Sequence, residues 1–125
     1  MPSHRANHWG TACEEWAVER RGLVLDRSSW HDARFQNGTP VEIKSTARFH
    51  TDDQPGNFKI YKRYHERLQR ASGWYCFVVY VPDGDGLEIW GHKMKKSSSV
   101  PMMRWNDGGK HRGTKQGKLA ISDVF

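Results

Sequence analysis

One stretch of the sequence, residues 74–81, constrains the fold more than any other. It reads Trp-Tyr-Cys-Phe-Val-Val-Tyr-Val, an almost continuously apolar run of β-forming residues. A strand with one solvated face would alternate with polar residues, so this run predicts a central strand that is buried on both faces. A turn is predicted after it at residues 82–86, and an outer strand at residues 87–90. The chain has 125 residues, so one compact domain is expected to contain this strand.

Two helices and further short strands are predicted around this strand. Apolar residues recur at helical spacing along residues 9–20, and Gly22 ends that helix before a short strand at residues 22–26. Residues 46–57 are predicted to form a loop, and residues 58–72 a second helix. The apolar stripe of the second helix is formed by Tyr61, Tyr64, Leu68 and Ala71. The resulting order is α-β-β-β-α-β-β, a domain of the α/β (α+β) class.

A hairpin is predicted where Asn37 and Gly38 separate two β patterns, residues 31–35 and 39–45. A two-residue loop would mix polar and apolar side chains on both faces of the hairpin. A three-residue loop that begins at Gln36 pairs Phe35 with Thr39 and sorts the side chains by face, so this register is preferred. The polar face of the hairpin then carries Asp32, Arg34, Glu42 and Lys44.

The polar face of this hairpin is the main chemical signal. Asp32 and Glu42 would offer two hard oxygen ligands on adjacent strands, which suits Mg²⁺, and the Ile43 backbone carbonyl could add a third. Lys44 shares the face, where it could orient or deprotonate an attacking water or stabilise charge on a phosphoryl group. The alternative is an ordinary solvated strand face, because this spacing also occurs by chance.

The positive charge of the chain is clustered. The net charge is +6, from 20 Lys and Arg against 14 Asp and Glu, and the excess lies in residues 61–72 and 93–125. Such clustering favours a polyanionic partner, most often nucleic acid, although a purely solubilising charge is the alternative. The candidate DNA-binding residues are Lys59, Arg63, Arg67 and Arg70 on the second helix, and Lys93, Lys95 and Lys96 after the outer strand.

Other features of the sequence predict the state of its cysteines, its location in the cell and its domain organisation. The Cys13 and Cys76 thiols fit no metal-ligand spacing and are expected to be reduced and buried. No apolar run reaches the roughly 18 residues of a membrane span, and no secretory signal is recognised, so a cytoplasmic protein is expected. Residues 1–96 are expected to form the core domain, with residues 97–125 as a basic extension packed on or near it.

Four parts of the sequence carry a resemblance to a known family. They are the helical pattern of residues 10–27 with Glu14, then Asp32, then Val-Glu-Ile-Lys-Ser at residues 41–45, and the helix at residues 61–68. This arrangement resembles the PD-(D/E)xK nuclease superfamily and, within it, the small Holliday junction resolvase-like nucleases of archaeal type. The sequence departs from the family pattern at His31, where a proline is usual, and on the second helix, where Tyr64 or His65 replaces the usual glutamine.

The resemblance implies a fold, an activity and a set of site residues. It implies a restriction-endonuclease-like fold with an α-β-β-β-α-β core, in which a mixed sheet is flanked by helices. It also implies Mg²⁺-dependent hydrolysis of DNA phosphodiester bonds, with Mn²⁺ able to substitute, by a homodimer that acts on DNA, including branched DNA. The implied site consists of Asp32, Glu42 and Lys44, with Glu14 preferred over Glu15 as a fourth catalytic and metal-binding residue, and Tyr64 or His65 as an accessory.

Two alternatives stay open at this point. A non-catalytic nucleic-acid-binding module could keep the same fold, but it would gain nothing from Asp32, Glu42 and Lys44 together. A restriction or nicking subunit that works with a partner protein would share all of these features. The sequence does not separate that subunit from a junction resolvase.

Overall fold

A computed structural model of the chain describes residues 2–101, 104–107 and 114–125. The described part forms three α-helices, seven strands and one 3-10 turn. In chain order they are α1 (Pro2–Arg21), β1 (Val24–Leu25), β2 (Ala33–Arg34), β3 (Pro40–Ala47), β4 (Asn57–Tyr61), α2 (Lys62–Arg70), β5 (Trp74–Asp83), β6 (Gly86–Lys96), the 3-10 turn (Ser97–Ser99), β7 (Gln116–Ala120) and α3 (Ile121–Val124).

The main sheet has five strands in the order β1-β2-β3-β5-β6. Strands β3 and β5 are parallel, with Glu42 opposite Tyr75 and Lys44 opposite Phe77, while the other pairs are antiparallel. The sheet is therefore mixed, as predicted. Strand β5 lies between β3 and β6, and its residues from Tyr75 to Tyr80 are all buried, which confirms the predicted central strand.

Each face of the sheet carries its own hydrophobic cluster. On one face α1 contributes Cys13 and Ala17 to a cluster that also includes Val41, Ile43 and Cys76 of the sheet. On the other face, α2 and the two-stranded sheet of β4 and β7 enclose a cluster that includes Phe58, Leu68, Tyr75, Phe77 and Leu119. Because side chains alternate along a strand, Glu42 and Lys44 lie on the second face while their neighbours pack under α1.

The predicted hairpin register is confirmed. Ala33 lies opposite Val41, and the Phe35 N–H donates to the Thr39 carbonyl at 2.9 Å. Gly38 closes the loop with a φ of 92°, a conformation that glycine adopts without strain. Asp32 is consequently brought opposite Glu42, on the face away from α1.

The predicted start of the second helix is wrong. Residues 57–61 form strand β4, in which Phe58 and Ile60 are buried and Lys59 is exposed, so the period is two. This strand pairs with β7, with Lys59 opposite Lys118. Helix α2 therefore begins at Lys62. Its buried residues are His65 and Leu68, whereas Ala71, placed in the predicted stripe, is exposed beyond its end.

Other element boundaries also differ from the prediction. Strand β3 extends through Ala47 into the expected loop, and β6 continues to Lys96 instead of ending at residue 90.

The segment at residues 116–125 packs on the core, because Leu119 and Val124 are each 2% exposed in the cluster under α2. Residues 102–103 and 108–113 of the basic extension lie outside the described residues. None of the described helices is long and apolar enough to cross a membrane.

Alanine substitutions along β4 test this strand. Phe58→Ala and Ile60→Ala should each lower the free energy of unfolding by roughly 2–5 kcal/mol, because both side chains are buried. Lys59→Ala should change it by less than about 0.5 kcal/mol. Chemical denaturation of the three variants measures the difference. A loss at Lys59 equal to that at its neighbours would contradict the strand assignment.

Candidate active site

An open cleft of about 480 Å³ lies where α1, β3 and the start of α2 meet the loop that precedes β2. It contains the polar side chains that the hairpin register places on the face away from α1. Its lining residues are Gly10, Thr11, Glu14, Ser28, Ser29, Asp32, Glu42, Ile43, Lys44, Ser45, Tyr61 and Tyr64. The structure thus brings together Glu14, Asp32, Glu42, Lys44 and Tyr64 of the predicted site residues.

Backbone hydrogen bonds of the hairpin hold Asp32 in place. Its N–H donates to the Val41 carbonyl at 3.0 Å, and its Oδ2 accepts from the Ile43 N–H at 2.9 Å. The Asp32 carboxylate is therefore fixed beside Glu42 by the hairpin loop, by the pairing of β2 with β3 and by its own bond to the Ile43 N–H. Arg34, predicted for the same face, forms an ion pair with Asp26, with Nε 3.9 Å from its carboxylate.

The environment of Glu42 disfavours its ionised form. Burial raises the pKa of this carboxyl well above its ordinary value, and the Asp32 carboxylate within hydrogen-bonding range raises it further. The Lys44 ammonium, whose Nζ lies 3.6 Å from Glu42 Oε2, lowers the pKa only in part. Two carboxyls thus share a small, partly buried space in which one positive charge does not balance them.

This donor set fits a divalent cation. Mg²⁺ commonly binds through one or two carboxylates and completes its shell with water and substrate phosphate oxygens. A cation between Asp32 and Glu42 would remove the repulsion that raises the pKa of Glu42. Within residues 2–101, 104–107 and 114–125, no three His, Cys, Asp or Glu side chains cluster closely enough to hold one metal ion. The remaining ligands would therefore come from the Ile43 carbonyl, water and substrate.

Lys44 is held between a carboxylate and an aromatic ring. Besides Glu42, its ammonium faces the Tyr61 ring at 5.7 Å from the ring centroid. Tyr61 is the last residue of β4, immediately before α2, so strand β4 determines the position of this ring. The sequence predicts Tyr61 in the apolar stripe of the second helix, and no local pattern in the sequence indicates its contact with Lys44.

Glu14 lies in the cleft, whereas Glu15 is exposed and does not line it. The structure pairs Glu14 with Arg27, whose Nε donates to Glu14 Oε1 at 2.8 Å. Burial raises the pKa of Glu14, and the hydrogen bond from Arg27 counteracts part of that rise. The sequence does not predict this role of Arg27 as the partner of Glu14, because nothing near it in the sequence indicates a partner 13 residues away.

The two accessory candidates on α2 have different positions. Tyr64 lines the cleft, whereas His65 is buried behind it. His65 Nδ1 and the Tyr75 hydroxyl share a hydrogen bond of 2.7 Å, and their rings stack. Burial lowers the pKa of His65 and so favours its neutral form. A small cavity is lined by both His65 and Glu42, so His65 belongs to the wall that supports the site.

The candidate DNA-binding residues do not form one continuous surface. Arg63, Arg67 and Arg70 are exposed on α2, and the Arg67 guanidinium lies 5.1 Å from the Trp30 ring centroid. Lys59 is on β4 and not on the helix, which corrects the predicted stripe. The β6 lysines lie on two faces of the sheet: Lys93 and Lys95 are opposite Phe77 and Tyr75, whereas Lys96 is opposite Trp74 and lies over its ring at 5.9 Å.

Comparison with known families agrees with this architecture. A family model described as a PD-(D/E)XK nuclease superfamily domain matches residues 1–125, and the chain therefore belongs to that superfamily. The predicted superfamily and its restriction-endonuclease-like fold are both confirmed. Members are generally nucleases, which are hydrolases, so a nucleic-acid substrate is implied. No curated protein and no solved structure matches the chain in these comparisons.

Metal-dependent stabilisation tests the carboxylate pair. Mn²⁺ should raise the melting temperature of the wild-type protein, since binding at 100 times Kd stabilises the native state by about 2.7 kcal/mol. Asp32→Asn and Glu42→Gln should abolish this rise. In EDTA at pH 8, Glu42→Gln should melt at a higher temperature than wild type, because it removes a buried charge.

Asp26→Asn provides the control in the same thermal-shift experiment. Asp26 is an exposed aspartate that precedes Asp32 by six residues and does not line the cleft. This variant should keep the Mn²⁺-dependent rise. The carboxylate pair would not be the metal site if Asp32→Asn and Asp26→Asn responded to Mn²⁺ equally.

Proposed function

We propose that the chain is a Mg²⁺-dependent DNA endonuclease, with Mn²⁺ able to substitute for Mg²⁺. The observation that carries the proposal is the juxtaposition of Asp32 and Glu42, with Lys44 at 3.6 Å from Glu42, in an open cleft. Membership of the nuclease superfamily supports it independently. A module that only binds nucleic acid would be hindered by these carboxylates, because they repel phosphate in the absence of a cation.

The residues of the cleft have distinct roles in the proposed reaction. Asp32, Glu42 and the Ile43 carbonyl would hold Mg²⁺, which when bound polarises the phosphate and lowers the pKa of a bound water. Lys44, restrained by Glu42 and Tyr61, orients the attacking water and stabilises the negative charge that develops on the phosphoryl oxygens. Hydrolysis forms a bond from water oxygen to phosphorus and breaks the bond from phosphorus to the leaving sugar oxygen.

Arg63 and Arg67 are proposed to bind the DNA backbone beside this cleft. They lie one helical turn apart on α2, and Arg67 packs over Trp30, which touches the same small cavity as Glu42 and Lys44. Contacts of this kind bind phosphates and carry no base information, so the substrate would be selected by shape. We propose branched DNA, cut by a homodimer whose two-fold symmetry supplies one site for each strand.

A cleavage assay tests the catalytic assignment. Purified protein with Mg²⁺ should cut at least one of linear, nicked, flapped or four-way-junction DNA, and EDTA should stop the reaction. Asp32→Ala and Glu42→Ala should abolish cleavage while DNA binding is unchanged or stronger, because each variant removes a negative charge near phosphate. Asp26→Ala is the control and should cleave like wild type. Near-normal cleavage by either cleft variant would refute the assignment.

A binding titration tests the role of α2. Replacing both Arg63 and Arg67 with alanine should weaken binding to every DNA sequence alike. It should reduce the slope of log K against log salt by roughly two, since each phosphate contact contributes about 0.9 on duplex DNA. The control is Arg48→Ala, whose guanidinium stacks between Phe49 and Trp90 beyond the end of β3. If the folded double variant shows an unchanged slope, DNA binding would be assigned to the basic extension instead of α2.

A further inference from the structure

The pairing of Glu14 with Arg27 gives the cleft a fixed cation that the metal-binding residues do not supply. Arg27 Nε donates to Glu14 Oε1 at 2.8 Å and so connects α1 to the loop that precedes β2. Backbone hydrogen bonds hold that loop on both sides of Arg27. The Asp26 N–H donates to the Asp32 carbonyl at 3.0 Å, and the Ser28 N–H donates to the His31 carbonyl at 2.9 Å.

The charge of the cleft shows what this cation contributes. When ionised, the lining residues Glu14, Asp32 and Glu42 carry three negative charges against one positive charge on Lys44. A phosphodiester would meet a net charge of −2, and one Mg²⁺ would only neutralise it. With Arg27 included, the metal-loaded cleft becomes positive. Since a substrate phosphate is negative, the sign of the cleft decides whether it is attracted.

The guanidinium is accessible to such a phosphate. About half of the Arg27 side chain, 53%, is exposed, whereas that of Glu14 is 18% exposed. A guanidinium carries five N–H donors in a planar fork, and the bond to Glu14 through Nε uses one of them. Ser28 and Ser29, which follow Arg27, line the cleft, so the loop that carries Arg27 forms part of its wall.

We propose that Arg27 binds a phosphate of the substrate at the rim of this cleft, and that Glu14 is a positioning residue that holds the Arg27 guanidinium. This assignment rests on the proposed nuclease function and revises the expectation that Glu14 is a metal ligand. Glu14 already accepts a hydrogen bond from Arg27, and across the described ranges no group of three acidic side chains is arranged around one metal position. Arginine suits the role because its fork matches phosphate oxygens.

Metal titration and steady-state cleavage by the full chain, measured together, test the proposal. Arg27→Ala should lower kcat/KM roughly 10- to 100-fold, the usual cost of removing a hydrogen bond to a charged group. Arg27→Lys should recover part of the loss. Glu14→Gln should lower kcat/KM as well, yet its Mn²⁺ affinity by calorimetry should stay close to that of wild type, whereas Asp32→Asn should lose Mn²⁺ binding.

Arg20→Ala is the matched control, because Arg20 is likewise exposed but lies on α1, and Glu14 pairs with Arg27 and not with it. It should behave as wild type in both measurements. DNA binding in Ca²⁺ gives a readout without cleavage, in which Arg27→Ala should bind more weakly than Arg20→Ala. The Arg27 side chain is exposed, so circular dichroism should show a folded variant.

The possible failures are distinguishable. An active wild type in which Arg27→Ala matches Arg20→Ala would overturn the role of Arg27 alone. A fall in Mn²⁺ affinity in Glu14→Gln as large as that in Asp32→Asn would make Glu14 a metal ligand and overturn its positioning role. A wild type that cleaves no substrate in Mg²⁺ or Mn²⁺ would overturn the proposed function, and the assignment of Arg27 with it.

Discussion

The contact between the Asp32 carboxylate and the Ile43 N–H determines most of what this site can do. It connects the β2 side of the hairpin to β3 and holds one carboxylate beside another, that of Glu42, which lies on β3 and is partly buried. A shift of one residue in the register would move Glu42 and Lys44 to the face under α1. The Gly38 turn and the sorting of apolar side chains against α1 therefore serve the chemistry as well as the fold.

The site is built into the core of the domain. Along β3, Val41 and Ile43 pack under α1, and Glu42 and Lys44, which alternate with them, lie on the face of α2. The parallel neighbour β5 sets Tyr75 beside Glu42 and Phe77 beside Lys44, and Tyr75 is fixed in turn by its hydrogen bond to His65. Such support restricts the motion of the side chains that the proposed reaction would use to hold a metal ion and a water molecule in defined positions.

Local patterns predicted the parts of the fold that local interactions determine. The hairpin register follows from side-chain periodicity and the buried strand from a continuous apolar run, and both are confirmed. Residues 58–61 were predicted as helix because their strand partner, β7, lies more than 50 residues further along the chain, and only that pairing makes them a strand. The same reason explains why the partners of Glu14 and Lys44 were missed: Arg27 and Tyr61 reach them only through tertiary packing.

The electrostatics of the cleft connect its stability to its proposed activity. Burial and Asp32 raise the pKa of Glu42, so the metal-free protein holds a carboxyl in a place that disfavours its charge. A more stable sequence would place a neutral side chain there, and natural proteins keep such destabilising groups mainly where function needs them. Under the proposed function, the carboxylates would repel a phosphodiester until cations neutralise them. The residues whose ionisation the cleft disfavours would therefore make substrate binding depend on metal binding.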